Sequence, residues 1–259
     1  MLKVIKSYLK FLWESKNEHG VHSPFVFDLI TQCISDTKSK PDYSVLKRYR
    51  QLLLQNKDTI VVTDFGAGSK IFNSNTRSIS KIARVAGISN KRAELLFRMT
   101  RYFQPENILE IGTSLGLATA ALTLGNPRSK ITTLEGCKET SRIAKQQFQQ
   151  FRFDNVSLVV TDFDSDLQSL KRQSKVYDMV YFDGNHQKAA TLHYFELLLP
   201  TISNNTVWIF DDIHWSEEME EAWDIIKNNP RVTVTIDTFA WGLVFFRAEQ
   251  KKEHFVIRT

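Results

Sequence analysis

The chain reads as an α/β protein: a mostly parallel sheet closed by an antiparallel hairpin, with a mainly helical extension in front. Three observations carry this. From residue 107 onward, short apolar runs alternate with amphipathic stretches, the rhythm of parallel strands covered by helices. The last two extended runs, 232–239 and 242–247, are too closely joined for a crossover and must pair antiparallel. Before residue 107 the apolar spacing is mostly helical.

Taken in order, residues 1–14 form an amphipathic helix with lysines at 3, 6 and 10. Ser23 followed by Pro24 marks a helix start, since proline loses only an N–H that would be unpaired there. That helix runs over 25–34, and another over 41–54. His22 falls in the preceding loop and is read as a loop residue. Residues 59–65 look like a strand that ends in Gly66-Ala67-Gly68. A nucleotide turn needs a helix directly behind it and an acid about 20 residues on. This stretch has neither, so it is a tight turn or a substrate-side loop. Helices follow over 77–86 and, capped by Asn90, over 90–103. Strands are expected at 108–111, 130–134, 156–160, 178–182 and 206–210. Helices are expected at 117–124, 138–151, 189–199 and 217–227.

Of the 259 residues, 42% are hydrophobic and 24% charged, enough for one large domain or a core domain with an appendage. No apolar run reaches the roughly 18 residues that span a bilayer, and no membrane partner is expected. Cys33 and Cys137 lie far apart outside any motif, which points to a reducing, cytoplasmic setting. Charge is uneven. Residues 1–106 hold 18 Lys and Arg against 9 Asp and Glu, and residues 107–259 hold 16 against 20. We therefore divide the chain into a basic region, 1–106, and an α/β domain, 107–259.

In open α/β sheets, ligands bind beyond the carboxyl ends of the strands. Here each of those ends is polar: Gly112 to Gly116, Glu135, Asp162, Asp183 and Asp211-Asp212. Strand, glycine turn and helix at 107–124 offer free N–H groups and a positive dipole end to a ligand. Glu135, 23 residues after Gly112, stands where a carboxylate accepts ribose hydroxyls. The turn reads Glu110-x-Gly112-x-x-x-Gly116, with Ser114 nearest the place of the glycine that a pyrophosphate requires. A ligand with adenosine and no pyrophosphate fits, and S-adenosylmethionine is expected over a dinucleotide.

Residues 107–247 resemble the class I S-adenosylmethionine-dependent methyltransferases, in the branch of catechol and caffeoyl-CoA O-methyltransferases. Leu-Glu-Ile-Gly-x-x-x-Gly at 109–116, Glu135, Tyr-Phe-Asp-Gly-x-His at 181–186, Phe-Asp-Asp at 210–212 and the hairpin carry the likeness. It implies a Rossmann-like, seven-stranded sheet with one antiparallel strand, and O-methylation of a small acceptor, aromatic or anionic. It also implies N-terminal helices that serve as a lid or a homodimer contact.

Carried over by position, Glu110, Gly112, Thr113, Ser114 and Gly116 line the methionine end and Glu135 holds the ribose. Asp162 and Phe163 meet the adenine, and Asp183 lies near the transferred methyl. Metal-dependent relatives ligate Mg²⁺ with acids after the fourth and fifth strands, here Asp183, Asp211 and Asp212. Three oxygens and waters suit such a cation, although Asp212 stands where the relatives have Asn. His186 and His214 are candidates for a general base. Lys188 sits two residues beyond the spacing of the relatives' base lysine. Trp13, Phe25, Phe72, Trp215, Phe239 and Trp241 either wall a pocket for a planar acceptor or are plain core.

The basic front half and the Arg77, Lys81, Arg84 face motivate a rival, an RNA or tRNA methyltransferase. No nucleic-acid-binding module accompanies them. A noncatalytic S-adenosylmethionine-binding protein is the other alternative; it has no use for the acidic strand ends. A dehydrogenase lacks its central glycine.

Overall fold

The computed structural model describes residues 2–63, 74–172 and 175–258. The chain divides into two compact units, one of Met1–Ser35 with Asp166–Thr259 and the other of Asp36–Ser165. This differs from a boundary at 106/107. The first 35 residues go with the C-terminal strands, and the helices after them go with the glycine turn.

The chain begins with α1, Leu2–Glu14, which buries Phe11 and packs Tyr8 and Phe11 on Phe239. Lys16 then forms a parallel bridge with Ile257. Helix α2, Pro24–Leu29, is capped by Ser23, whose hydroxyl accepts from the Val26 N–H. The expected helix over 25–34 changes its winding: Ile30–Ile34 is a π-helical turn that buries Ile30, Cys33 and Ile34. Ser23 also donates to Gln250, and the Phe25 ring meets Phe245 edge-on.

In the unit Asp36–Ser165, α3 (Asp42–Gln55) buries Tyr43, Leu46, Tyr49 and Leu53, a stripe at helical spacing. Strands β1 (Thr59–Val61) and β2 (Thr76–Ser78) pair antiparallel. Gly66, Gly68 and Phe72 lie outside the described residues. Helix α4 covers Ile79–Val85, and α5 covers Asn90–Phe103. Its cap is Ser89, one residue before the expected Asn90, because the Ser89 hydroxyl reaches the Arg92 N–H at 3.3 Å.

Next come β3 (Asn107–Ile111), α6 (Leu117–Gly125), β4 (Lys130–Glu135), α7 (Lys138–Phe151) and β5 (Val156–Val160). The three strands are parallel, β4 between β3 and β5. Helix α6 buries nearly every side chain, as its run of Leu, Ala and Thr requires.

Helix α8, Phe163–Arg172, is an addition to the expected elements. The other unit continues with β6 (Met179–Phe182), α9 (Lys188–Leu198), β7 (Val207–Asp211), α10 (Glu217–Asn228), β8 (Val234–Asp237) and β9 (Trp241–Phe245). Strand β10, Glu253–Val256, was not read from the sequence either. The order is β10-β8-β9-β7-β6, and β9 runs against both of its neighbours while the other pairings are parallel. The Rossmann-like α/β class, mostly parallel with a closing hairpin, is as expected. Among the described residues no helix is long and apolar enough to cross a membrane.

Candidate active site

The turn after β3 is built from the inside. Gly112 and Gly116 take φ of 103° and 78°, and Ser114 between them takes 49°. The left-handed region is costly for serine. What it gains is an aim: the Ser114 N–H points at Glu135 and donates to Oε2 at 2.6 Å. The Cys137 N–H donates to Oε1 at 2.9 Å. Glu135 thus ties the β3 turn to the head of α7. Burial pushes its carboxyl pKa up, and the N–H groups of Cys137 and Ser114 pull back only part of the way. The Thr140 hydroxyl and the Gly136 N–H act on the same carboxylate.

Glycine at 116 answers a packing demand. A Cβ there would stand 2.5 Å from Phe148 Cε1 and 2.5 Å from the Tyr49 hydroxyl oxygen. That hydroxyl donates to the Leu115 carbonyl at 2.9 Å. Tyr49 therefore clamps the turn from α3, a role without a local signal because it is set by 66 residues of separation. Thr113 is 2% exposed and Glu110 wholly buried. Glu110 Oε2 accepts from Thr119 at 2.5 Å and Thr133 at 2.6 Å, and Thr113 Oγ1 lies 2.5 Å from Thr133 Oγ1. In this arrangement Glu110 and Thr113 brace the turn from behind. Thr119 and Thr133 are partners the sequence reading missed. Asp162 is exposed and accepts from both the N–H and the hydroxyl of Ser165, which holds its pKa down. It caps α8, which opens with Phe163.

The other unit holds the acidic ends. Asp183 follows β6, and its Oδ1 is 3.6 Å from His186 Nε2. Asn185 between them takes φ of 53°. Burial lowers the His186 pKa, but the hydrogen bond and charge of Asp183, with the charges of Asp212 and Asp211, outweigh it and lift the value to about 9. At neutral pH this ring is a cation among three carboxylates. Asp211 closes β7 and is buried; Asp212 takes φ of 55°, donates its N–H to Ala240 O and accepts from the Trp215 N–H.

His214 follows that turn. Its Nδ1 is 2.9 Å from Glu220 Oε1 and its Nε2 2.8 Å from Asp237 Oδ2, while its ring stacks on Phe239. Burial lowers its pKa, and Asp237 and Glu220 more than offset that. Lys188 is engaged with Glu221 at 2.6 Å. The expected metal trio of Asp183, Asp211 and Asp212 does not form as such. Among the described residues no three His, Cys, Asp or Glu side chains are grouped to hold an ion. Asp183 lies beside His186, and Asp211 is buried at the end of β7. Of the candidate pocket aromatics, Trp241 is core, Phe239 packs on α1, and Trp13 is 86% exposed.

Residues 109–213 match a protein-family model described as a methyltransferase domain. Among solved structures, the chain resembles the SAH-bound Podospora anserina methyltransferase PaMTH1 at 15% identity. That match has a TM-score of 0.62 and covers 88% of this chain and 97% of the other. It resembles the Streptomyces achromogenes O-methyltransferase TomG, in complex with SAM, at 16% identity and a TM-score of 0.57, over 86% and 95%. It also resembles a Bacillus cereus O-methyltransferase in complex with SAH at 17% identity and a TM-score of 0.55, over 82% and 94%. The resemblance read from the motifs is borne out, and the fold is that of these proteins.

Proposed function

We propose that the chain transfers a methyl group from S-adenosylmethionine to an oxygen of a small aromatic or anionic acceptor. The observation that supports this most is the β3 turn locked by Glu135, whose carboxylate closes onto the Ser114 and Cys137 N–H groups. The methyltransferase-domain match over the same residues supports it as well. When bound, the cofactor would supply an electrophilic methyl on a sulfonium whose sulfur leaves as a neutral thioether.

The chain's own residues divide the remaining work. Glu135 accepts the ribose hydroxyls. Asp162 and Phe163, at the start of α8, take the adenine. Asp183 accepts from the acceptor's hydroxyl and takes its proton as the oxygen is methylated, with the His186 cation at its side favouring an anionic oxygen. His186 gives up its proton only near pH 9, so below that pH it works by charge and not as a base. His214 has both nitrogens committed and is assigned to positioning. Among the described residues Cys33 and Cys137 are buried and form no disulfide, which supports a cytoplasmic setting.

Calorimetry with S-adenosylhomocysteine tests the reading. The wild-type chain binds it, and Glu135→Ala weakens binding by about tenfold or more, the loss of two charge-assisted hydrogen bonds. Unchanged affinity in Glu135→Ala sinks the ribose assignment, and no binding by the wild type sinks the function. For the acceptor end, Asp183→Ala is expected to abolish turnover against a panel of catechols and hydroxy acids while leaving adenosylhomocysteine affinity near wild type.

A further inference from the structure

Helix α1 is held by one face only. Tyr8 and Phe11 pack on Phe239, with ring centroids 4.8 and 5.5 Å away. Round the helix, Ile5, Leu9 and Trp13 follow one another at four-residue spacing and form a single stripe. They are 50%, 60% and 86% exposed. Scattered surface apolar residues need no explanation, but a contiguous stripe ending in a nearly bare tryptophan does.

Beside this stripe lies a row of cations. Lys6 and Lys10 are exposed one position after Ile5 and Leu9. At the C-terminal end the Arg258 guanidinium donates to the Leu12 carbonyl at 2.9 Å and to the Ser15 hydroxyl at 3.2 Å, and Lys16 is exposed next to it. Glu14 is the one acidic residue of α1, and it already faces Lys10 at 3.8 Å.

We infer that α1 docks the protein on an anionic lipid surface, lying in the plane of the interface. Ile5, Leu9 and Trp13 enter the boundary between headgroups and acyl chains, and Lys6, Lys10, Lys16 and Arg258 meet the phosphates. An apolar stripe bordered by lysines, with tryptophan at its edge, is the pattern of an interfacial helix. At 13 residues α1 is far short of the roughly 20 that span a bilayer. A second copy of the chain suits the face less well. The stripe offers a few hundred Å², below the roughly 800 Å² each partner gives to a stable interface. Two copies would also bring their lysine rows together, with only Glu14 on each to answer them.

Co-sedimentation of the full chain with vesicles tests this. Vesicles of mixed phosphatidylglycerol and phosphatidylcholine are expected to bind the protein. Phosphatidylcholine alone, or raised salt, is expected to release it. Trp13→Ala, and separately Lys6→Glu with Lys10→Glu, each lower binding by about tenfold or more. Melting temperatures are expected to stay unchanged, because these side chains are exposed. Absence of binding to the anionic vesicles, or binding that survives both variants, overturns the inference. So does a dimer in sedimentation velocity that Trp13→Ala dissolves, which would assign the face to a second copy.

Discussion

At His214 both ring nitrogens meet a carboxylate, and this decides what the residue does. A general base needs a free lone pair, and an imidazole between Glu220 and Asp237 has given up both nitrogens as donors. It joins the turn after β7 to α10 and to the end of β8. His214→Ala leaves two carboxylates facing each other without a cation, and is expected to cost about 1–3 kcal/mol in urea denaturation. A loss within experimental error would show that the ring holds nothing together. Asp36 offers a pH test of the same kind of pairing. Its side chain accepts from Lys40, 2.9 Å away, and from the Lys38 N–H, and both lower its pKa. A carboxyl with a lowered folded pKa stabilises above its unfolded value, and that stabilisation disappears as pH falls through the folded value. Asp36→Asn is therefore expected to lower Tm by roughly 1–4 °C at neutral pH. The gap closes in melts as pH falls through the lowered folded value of Asp36, below the ordinary carboxylate range; a gap that persists in acid would rule out the ion pair as its source.

Among the elements, the β3 turn shows what can be read from a sequence and what cannot. Strand, turn and helix were legible because apolar runs, glycine spacing and Glu135 all act within about 30 residues. The reason for Gly116 was not. The glycine looked like an opening for a ligand, yet its missing side chain is space taken by Phe148 and Tyr49, from two other helices. Gly116→Ala is accordingly expected to cost about 2 kcal/mol or more in stability. It should also weaken adenosylhomocysteine binding, since the clash moves the turn. Full stability in that variant would mean that Tyr49 yields easily. Helix α8 was missed because its apolar period is short and rich in Asp and Ser. Strand β10 was missed because four residues near the C-terminus carry little pattern of their own; its place comes from its partner β8. The histidines were recognised as chemistry, but their roles depended on which carboxylates the fold brings to each ring.

At the scale of the whole molecule, the charge asymmetry led to a boundary at 106/107, and the packing runs elsewhere. Net charge describes surfaces, whereas units are made by buried contacts, so residues to Ser35 belong with the last third of the chain. Residues 12–16 meet residues 256–258 there. The Lys16 N–H donates to the Val256 carbonyl, the Arg258 N–H to the Lys16 carbonyl, and the Arg258 guanidinium to Leu12 and Ser15. This closure sets an order in time. On the ribosome α1 is made well before Phe239, Val256 and Arg258, which seat it. At about 5–20 residues per second, the first helix waits roughly 10–50 s for its seat. Throughout that interval Tyr8 and Phe11 are uncovered along with Ile5, Leu9 and Trp13. Until those residues emerge, the nascent chain carries α1 with both its packing face and its Ile5, Leu9, Trp13 stripe uncovered, the period in which a chaperone has most to hold.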